Sequence, residues 1–123
     1  MKLLADAIAA DPVIDSQFPA PRVVEAMDDV INLDVPFTLE LPALHSNAYS
    51  DVLLLFVNTD GSNSPQLVVH QQAVSDLPTQ GMVDNNSLSP PFDRDQSAVV
   101  RCFLRFRATG LWHRTPDSVH YMF

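Results

Sequence analysis

The chain has 123 residues, a formal net charge of -8, ten prolines, three glycines and a single cysteine. That length fits one domain, able to bury somewhat under about 70% of its unfolded surface, and the prolines argue against long helices because each lacks an amide donor and fixes φ. The acidity opposes nucleic-acid or anionic-membrane binding, which needs a positive field, and the lone Cys102 excludes an intrachain disulfide.

Residues 3–10, LLADAIAA, have helical composition, and Pro12 stops the helix. A helix this short is marginal in water and needs a surface to dock on. Lys2 and the apolar residues after it have the look of a signal peptide, but Asp6 breaks the run at once, and no segment reaches the roughly 18 apolar residues of a membrane span. The expectation is a soluble chain without a signal peptide, its compartment open between the cytoplasm and an extracellular assembly or virion. Residues 1–17 form an N-terminal arm ahead of one domain at 18–123.

Arg22–Ala26 reads as a first strand at an edge, and MDD as a turn. Ile31, Leu33 and Val35 alternate with Asn32 and Asp34, which predicts a short second strand. PFTLELP alternates cleanly, with Phe37, Leu39 and Leu41 on one face and Thr38 and Glu40 on the other. DVLLLFVN, 51–58, is an unbroken apolar run of strand length, the expected centre of a sheet. Asp60-Gly61 signals a hairpin returning through QLVVHQQAV. Residues 75–97 are polar and proline-rich, with at most a strand at Gly81–Val83. Ala98–Ala108 is the longest predicted strand, and Ser118–Phe123 the last. About seven strands at such intervals predict an all-β antiparallel sandwich, with a small barrel as the alternative.

Three stretches carry a resemblance: the proline-led entry PAPRVVEAMDDVINLD, the central SDVLLLFVN, and the closing SAVVRCFLRFRATGLWHRTPDSVHYMF. Together they resemble the bacterial immunoglobulin-like domains repeated in large surface and secreted proteins, over residues 18–123, with Phe56 as the central-strand aromatic. The resemblance implies a folded module for adhesion, spacing or binding, with no catalytic residues. A copy standing alone from Met1 is expected to be an interaction subunit.

Candidate chemistry is sparse. His45, His70, His113 and His120 with Cys102 lack the close spacing of a zinc site, although His113 and His120 flank a turn. NTDGSN, 58–63, sets oxygen ligands around a glycine without the length or closing glutamate of an EF-hand. No G-x-S-x-G, no glycine-rich phosphate loop and no acid/base partner for Asp28-Asp29 is present. Cys102 shares a strand face with Val100, Leu104 and Phe106, so it is expected to be a buried, inert thiol. The chain is expected to be no enzyme and to carry no metal or cofactor.

Charge is uneven. Every acid except Asp95 and Asp117 lies in residues 1–93, while Arg94, Arg101, Arg105, Arg107 and Arg114 follow. Alternation turns Val99, Arg101, Phe103, Arg105 and Arg107 outward. Arginine with aromatics is enriched at interfaces, so Arg101, Phe103, Arg105, Arg107, Trp112 and His113 are the candidate partner-binding residues. The alternative is pairing with the chain's own acids, such as Glu25 or Glu40. The functional expectation is a non-enzymatic interaction module that binds another protein chain or itself. Its rivals are an acidic immunity protein masking a basic toxin site, steered by charge, and a structural subunit of a phage or secretion-machine particle.

Overall fold

The computed structural model describes residues 2–44, 48–59, 66–71, 77–88, 91–94 and 96–123. A helix, α1 (Lys2–Ala10), precedes strands β1 (Arg22–Val23), β2 (Phe37–Leu41), β3 (Tyr49–Asn58), β4 (Gln66–Gln71), β5 (Thr79–Val83), β6 (Ser97–Phe106), β7 (Trp112–Arg114) and β8 (Tyr121–Met122). They form two antiparallel sheets, one of order β1-β2-β5 and one of order β4-β3-β6-β7, with β8 also on β6. The all-β sandwich read from the strand pattern is the observed architecture.

β3 and β6 make the longest pairing, and its register sorts the side chains. Leu54 opposite Cys102 and Phe56 opposite Val100 point between the sheets, where they meet Phe37, Leu39 and Leu41 of β2. Phe56 stands 5.3 Å from the Phe37 ring and 4.6 Å from Phe92. Leu53, Leu55, Val57, Val99 and Phe103 point the other way and form a second apolar cluster with Ala7 of α1, flanked by Leu4 and Trp112. The apolar run of β3 is continuous because both of its faces are covered, one by a sheet and one by a helix. α1 is therefore held by tertiary packing, which offsets its short length.

The predicted second strand at Ile31–Val35 is corrected. The Asn32 side chain accepts from the Asp34 amide at 2.9 Å, a local turn that competes with a ladder. Ile31 donates its amide to the Met122 carbonyl at 2.8 Å, docking on β8. Met27 and Val30 close a two-residue hairpin over Asp28 and Asp29, both at positive φ, the pattern of a type I′ turn. The outer strands are also shorter than read: β1 ends at Val23 and β8 covers only Tyr121–Met122. β7, Trp112–Arg114, is a strand that the sequence pattern did not predict. The predicted hairpin turn at Asp60-Gly61 lies outside the described residues.

Regular structure occurs in the proline-rich 75–97 segment. It contributes β5 and a 3-10 turn, Asn85–Ser87, capped by Asp84. The buried Asn85 amide donates to the Phe92 carbonyl and accepts from its amide, both at 2.9 Å, and so holds Phe92 in the core. At the far end, the Tyr121 hydroxyl accepts from the Val23 amide at 3.0 Å and ties the last strand to the first.

Candidate functional site

α1 ends at Ala10, and Asp11 turns the chain at φ 44. The arm then runs along β7, where Ile14 bridges Arg114 in parallel and the Asp15 amide donates to the Arg114 carbonyl at 2.9 Å. Helix and arm together cover the outer face of the large sheet and leave two openings, one on each side of Pro12.

The first opening is a cleft of about 190 Å³. Leu55 of β3 and Phe103 of β6, both buried, contribute its apolar surface from the sheet, and Ile8 and Pro12 contribute from the helix and arm. Arg101 and Arg114 are its cationic residues, and Asp11 adds a carboxylate. The second is a wider, more open groove of about 430 Å³ lined by Val13, Ile14, Trp112 and His113 among others.

The arginines of β6 and β7 are engaged within the chain. Arg101 donates from Nε and Nη2 to the two Asp117 oxygens at 3.2 and 3.0 Å. Arg114 reaches the same carboxylate from one nitrogen, at 3.2 Å to each oxygen. Its Nε is buried and has no hydrogen-bond partner among the described residues. All three side chains are about a fifth to a quarter exposed. Their partner is not Glu25 or Glu40, the acids weighed from sequence. Glu25 accepts from the Thr38 amide and hydroxyl at 2.7 and 2.8 Å, and Glu40 is held by Arg22 and Gln80.

The six candidate binding residues are thus distributed unequally. Arg101 and Phe103 meet in the first cleft, and Trp112 and His113 in the second groove. Arg105 lies over the Trp112 ring, 5.8 Å from its centroid. Arg107 stands apart, donating to the Tyr49 carbonyl at 3.1 Å. Phe103 is not on an open face, because α1 packs over it. Sequence reasoning missed Arg114, Leu55, Ile8 and Pro12 as cleft residues. The only signal for Arg114 was its separation of three residues from Asp117.

Among the described residues the metal-binding residue types are scattered. Cys102 is fully buried between the sheets, and that burial pushes its thiol far above the ordinary range, so the sulfur stays protonated. The His113 ring stacks on Phe106 at 3.8 Å with Phe18 edge-on, while His120 is exposed. His45 and the His70 side chain lie outside the described residues. Among the described residues no three of His, Cys, Asp and Glu converge on a metal-sized site. No described helix is long and apolar enough to cross a membrane.

No protein-family model matches the chain, and no curated protein matches it in sequence. Among solved structures it is similar to a single-residue variant of the superoxide reductase (neelaredoxin) from Ignicoccus hospitalis, with TM-score 0.55 and 11% identity over 95% of this chain and 86% of that one. A second variant of the same reductase aligns with TM-score 0.47 and 11% identity over 78% of this chain and 77% of that one. At such identity the likeness is one of fold. It nonetheless corrects the functional expectation. The solved neighbour at TM-score 0.55 is an enzyme, not an immunoglobulin-like adhesion module, toxin inhibitor or virion component, so the reading of a non-enzymatic module is overturned. The physical reason is plain: a missing local motif does not exclude catalysis, because sites are assembled from residues distant in sequence.

Proposed function

We propose that the chain binds a small ligand with an apolar body in the cleft beneath the C-terminal end of α1. The observation that carries this reading is the composition of the cleft: buried Leu55 and Phe103 beside Ile8, with Arg101 and Arg114 in the same lining. Small-molecule sites combine apolar walls with a few fixed polar groups in this way. The volume of about 190 Å³ suits one ring or one branched aliphatic group; an apolar cavity of about 150 Å³ holds benzene.

The activity named for the solved neighbour, superoxide reduction, is one-electron chemistry and calls for a redox centre. Transition metals for such chemistry are held by imidazole, thiolate or carboxylate groups. The described donors do not fit one: Cys102 is a protonated thiol in the core, and His113 is stacked on Phe106 with Phe18 edge-on to it. No step of that chemistry is assigned to this chain.

The test is a backbone NMR titration with benzyl alcohol as probe. Shifts are expected at Leu55, Phe103, Ile8 and Arg114. In Ile8→Trp, where a half-exposed rim residue is enlarged into the cleft, they should vanish while the melting temperature holds. Shifts spread over the whole surface, or unchanged by Ile8→Trp, would remove the proposal.

A further inference from the structure

α1 is loosely fastened over the sheet. It has nine residues, with no acid in its first turn and no base in its last, so neither end of its dipole is compensated. Asp11 adds a negative charge at the negative end, on a backbone at φ 44 that L-residues adopt at a cost. Ala7 is the one buried side chain described in the helix, with Leu4 packed in part. The arm beyond is anchored instead. Ile14 bridges Arg114, the Asp15 amide donates to the Arg114 carbonyl, and Phe18 meets the Tyr49 and His113 rings edge-on. Between helix and anchor lie Asp11, Pro12 and the exposed Val13, with an opening on each side.

The sheet beneath α1 continues the floor of the cleft. Pairing sets Leu53 beside Phe103, Leu55 beside Arg101 and Val57 beside Val99, and Arg101 is held to one side by Asp117. Leu55 and Phe103 line the cleft, whereas Leu53, Val57 and Val99 pack in the cluster with Ala7. We infer that α1 is a lid hinged at residues 11–13, whose opening lengthens the cleft into a trough that takes an unbranched alkyl chain. This rests on the cleft being a binding site and adds the device that controls it and the ligand shape it admits. From Leu53 to Val57 the trough runs roughly 13 Å and is two strands wide, long and narrow like an alkyl chain. The opening is local, because the other face of β3 and β6 packs on the small sheet through Leu54, Phe56, Val100 and Cys102.

Two measurements on the full chain test the lid: amide hydrogen exchange, and NMR titration with 1-octanol beside benzyl alcohol. The amides of residues 6–10 are expected to be less protected than those of β3 and β6 by about tenfold or more. 1-Octanol should shift Val57 and Val99 as well as Leu55, where benzyl alcohol shifts the cleft alone. Ala7→Gly removes the buried methyl and weakens the helix, so it should lower α1 protection and tighten 1-octanol severalfold. Benzyl alcohol, which needs no opening, should stay within about twofold. Asp11→Gly relieves the backbone and removes the charge, so it should raise α1 protection severalfold; it decides the matter should Ala7→Gly not fold. If α1 exchanges only together with β3 and β6, or if 1-octanol shifts stop at Leu55 and Phe103, the lid is overturned and the cleft stands. Failure of both alcohols to shift any cleft residue would overturn both.

Discussion

Arg101 meets Asp117 through two nearly parallel contacts, Nε to Oδ1 at 3.2 Å and Nη2 to Oδ2 at 3.0 Å, sixteen residues apart in sequence. The pair fastens the segment after β7 to the middle of β6, and Arg114 joins it from β7. Each side chain is less than a third exposed, so solvent screens the interaction only in part. Replacing Asp117 by asparagine leaves two guanidiniums without a counter-charge. Asp117→Asn is expected to lower unfolding free energy by about 1–3 kcal/mol, read by urea denaturation. An unchanged midpoint would show that the pair adds nothing to stability.

The helix is held by its small residue. Ala7 is fully buried against Leu53, Leu55, Val57, Val99 and Phe103. An amide placed there both overfills the contact and desolvates a polar group. Ala7→Asn should cost roughly 1–3 kcal/mol and release α1. The single tryptophan, Trp112, packs against the same cluster and reports the release. Its emission is expected to move to the red, and the α1 amides should lose exchange protection.

Acid should weaken the small sheet through Glu40. The hydrogen bond from Gln80 lowers the Glu40 carboxyl below its ordinary range, burial works against that shift, and Arg22 adds to it. A carboxyl depressed in the folded state stabilises the fold above its unfolded pKa. That contribution is lost as pH falls through the folded value. Stability of the native chain should therefore fall on acidification below the ordinary carboxylate range, and Glu40→Gln should flatten that part of the curve. Parallel curves for the two proteins would contradict the assignment.

The hairpin at Asp28-Asp29 places two L-residues at φ 52 and 62. Such backbone costs a non-glycine residue roughly 1–2 kcal/mol, less for aspartate, which tolerates it better. Asp29→Gly keeps the backbone carbonyl that accepts from the Met122 amide at 2.9 Å. The substitution should raise the melting temperature by a few degrees. A drop would mean that the aspartate side chain adds more than its backbone strain removes.

What sequence pattern reveals here follows the range of the interactions. The alternation of Phe37, Leu39 and Leu41 and the unbroken run of β3 were legible, because burial imprints itself on consecutive residues. The helix was legible in LLADAIAA, bounded by Pro12. Ile31–Val35 alternates like a strand, yet its turn is decided by the Asn32 side chain, whose competing bond hydrophobicity does not record. β7 has three residues, too few for a period to show. The arginine row was legible as a row, but not its cover: Phe103 reads as outward until α1 is seen to lie over it. The cleft draws on α1, the arm, β3, β6 and β7 together, so no single stretch announces it.

The central claim, that the cleft beneath α1 is a ligand site, is tested most directly by comparing one titration in two proteins. Benzyl alcohol is added to the native chain and to Ile8→Trp, with amide shifts followed residue by residue. Saturable shifts confined to the neighbourhood of Leu55, Phe103 and Arg114 in the native chain, and absent in the variant, are the predicted result. Identical titrations in the two proteins, or shifts that never saturate, would contradict it.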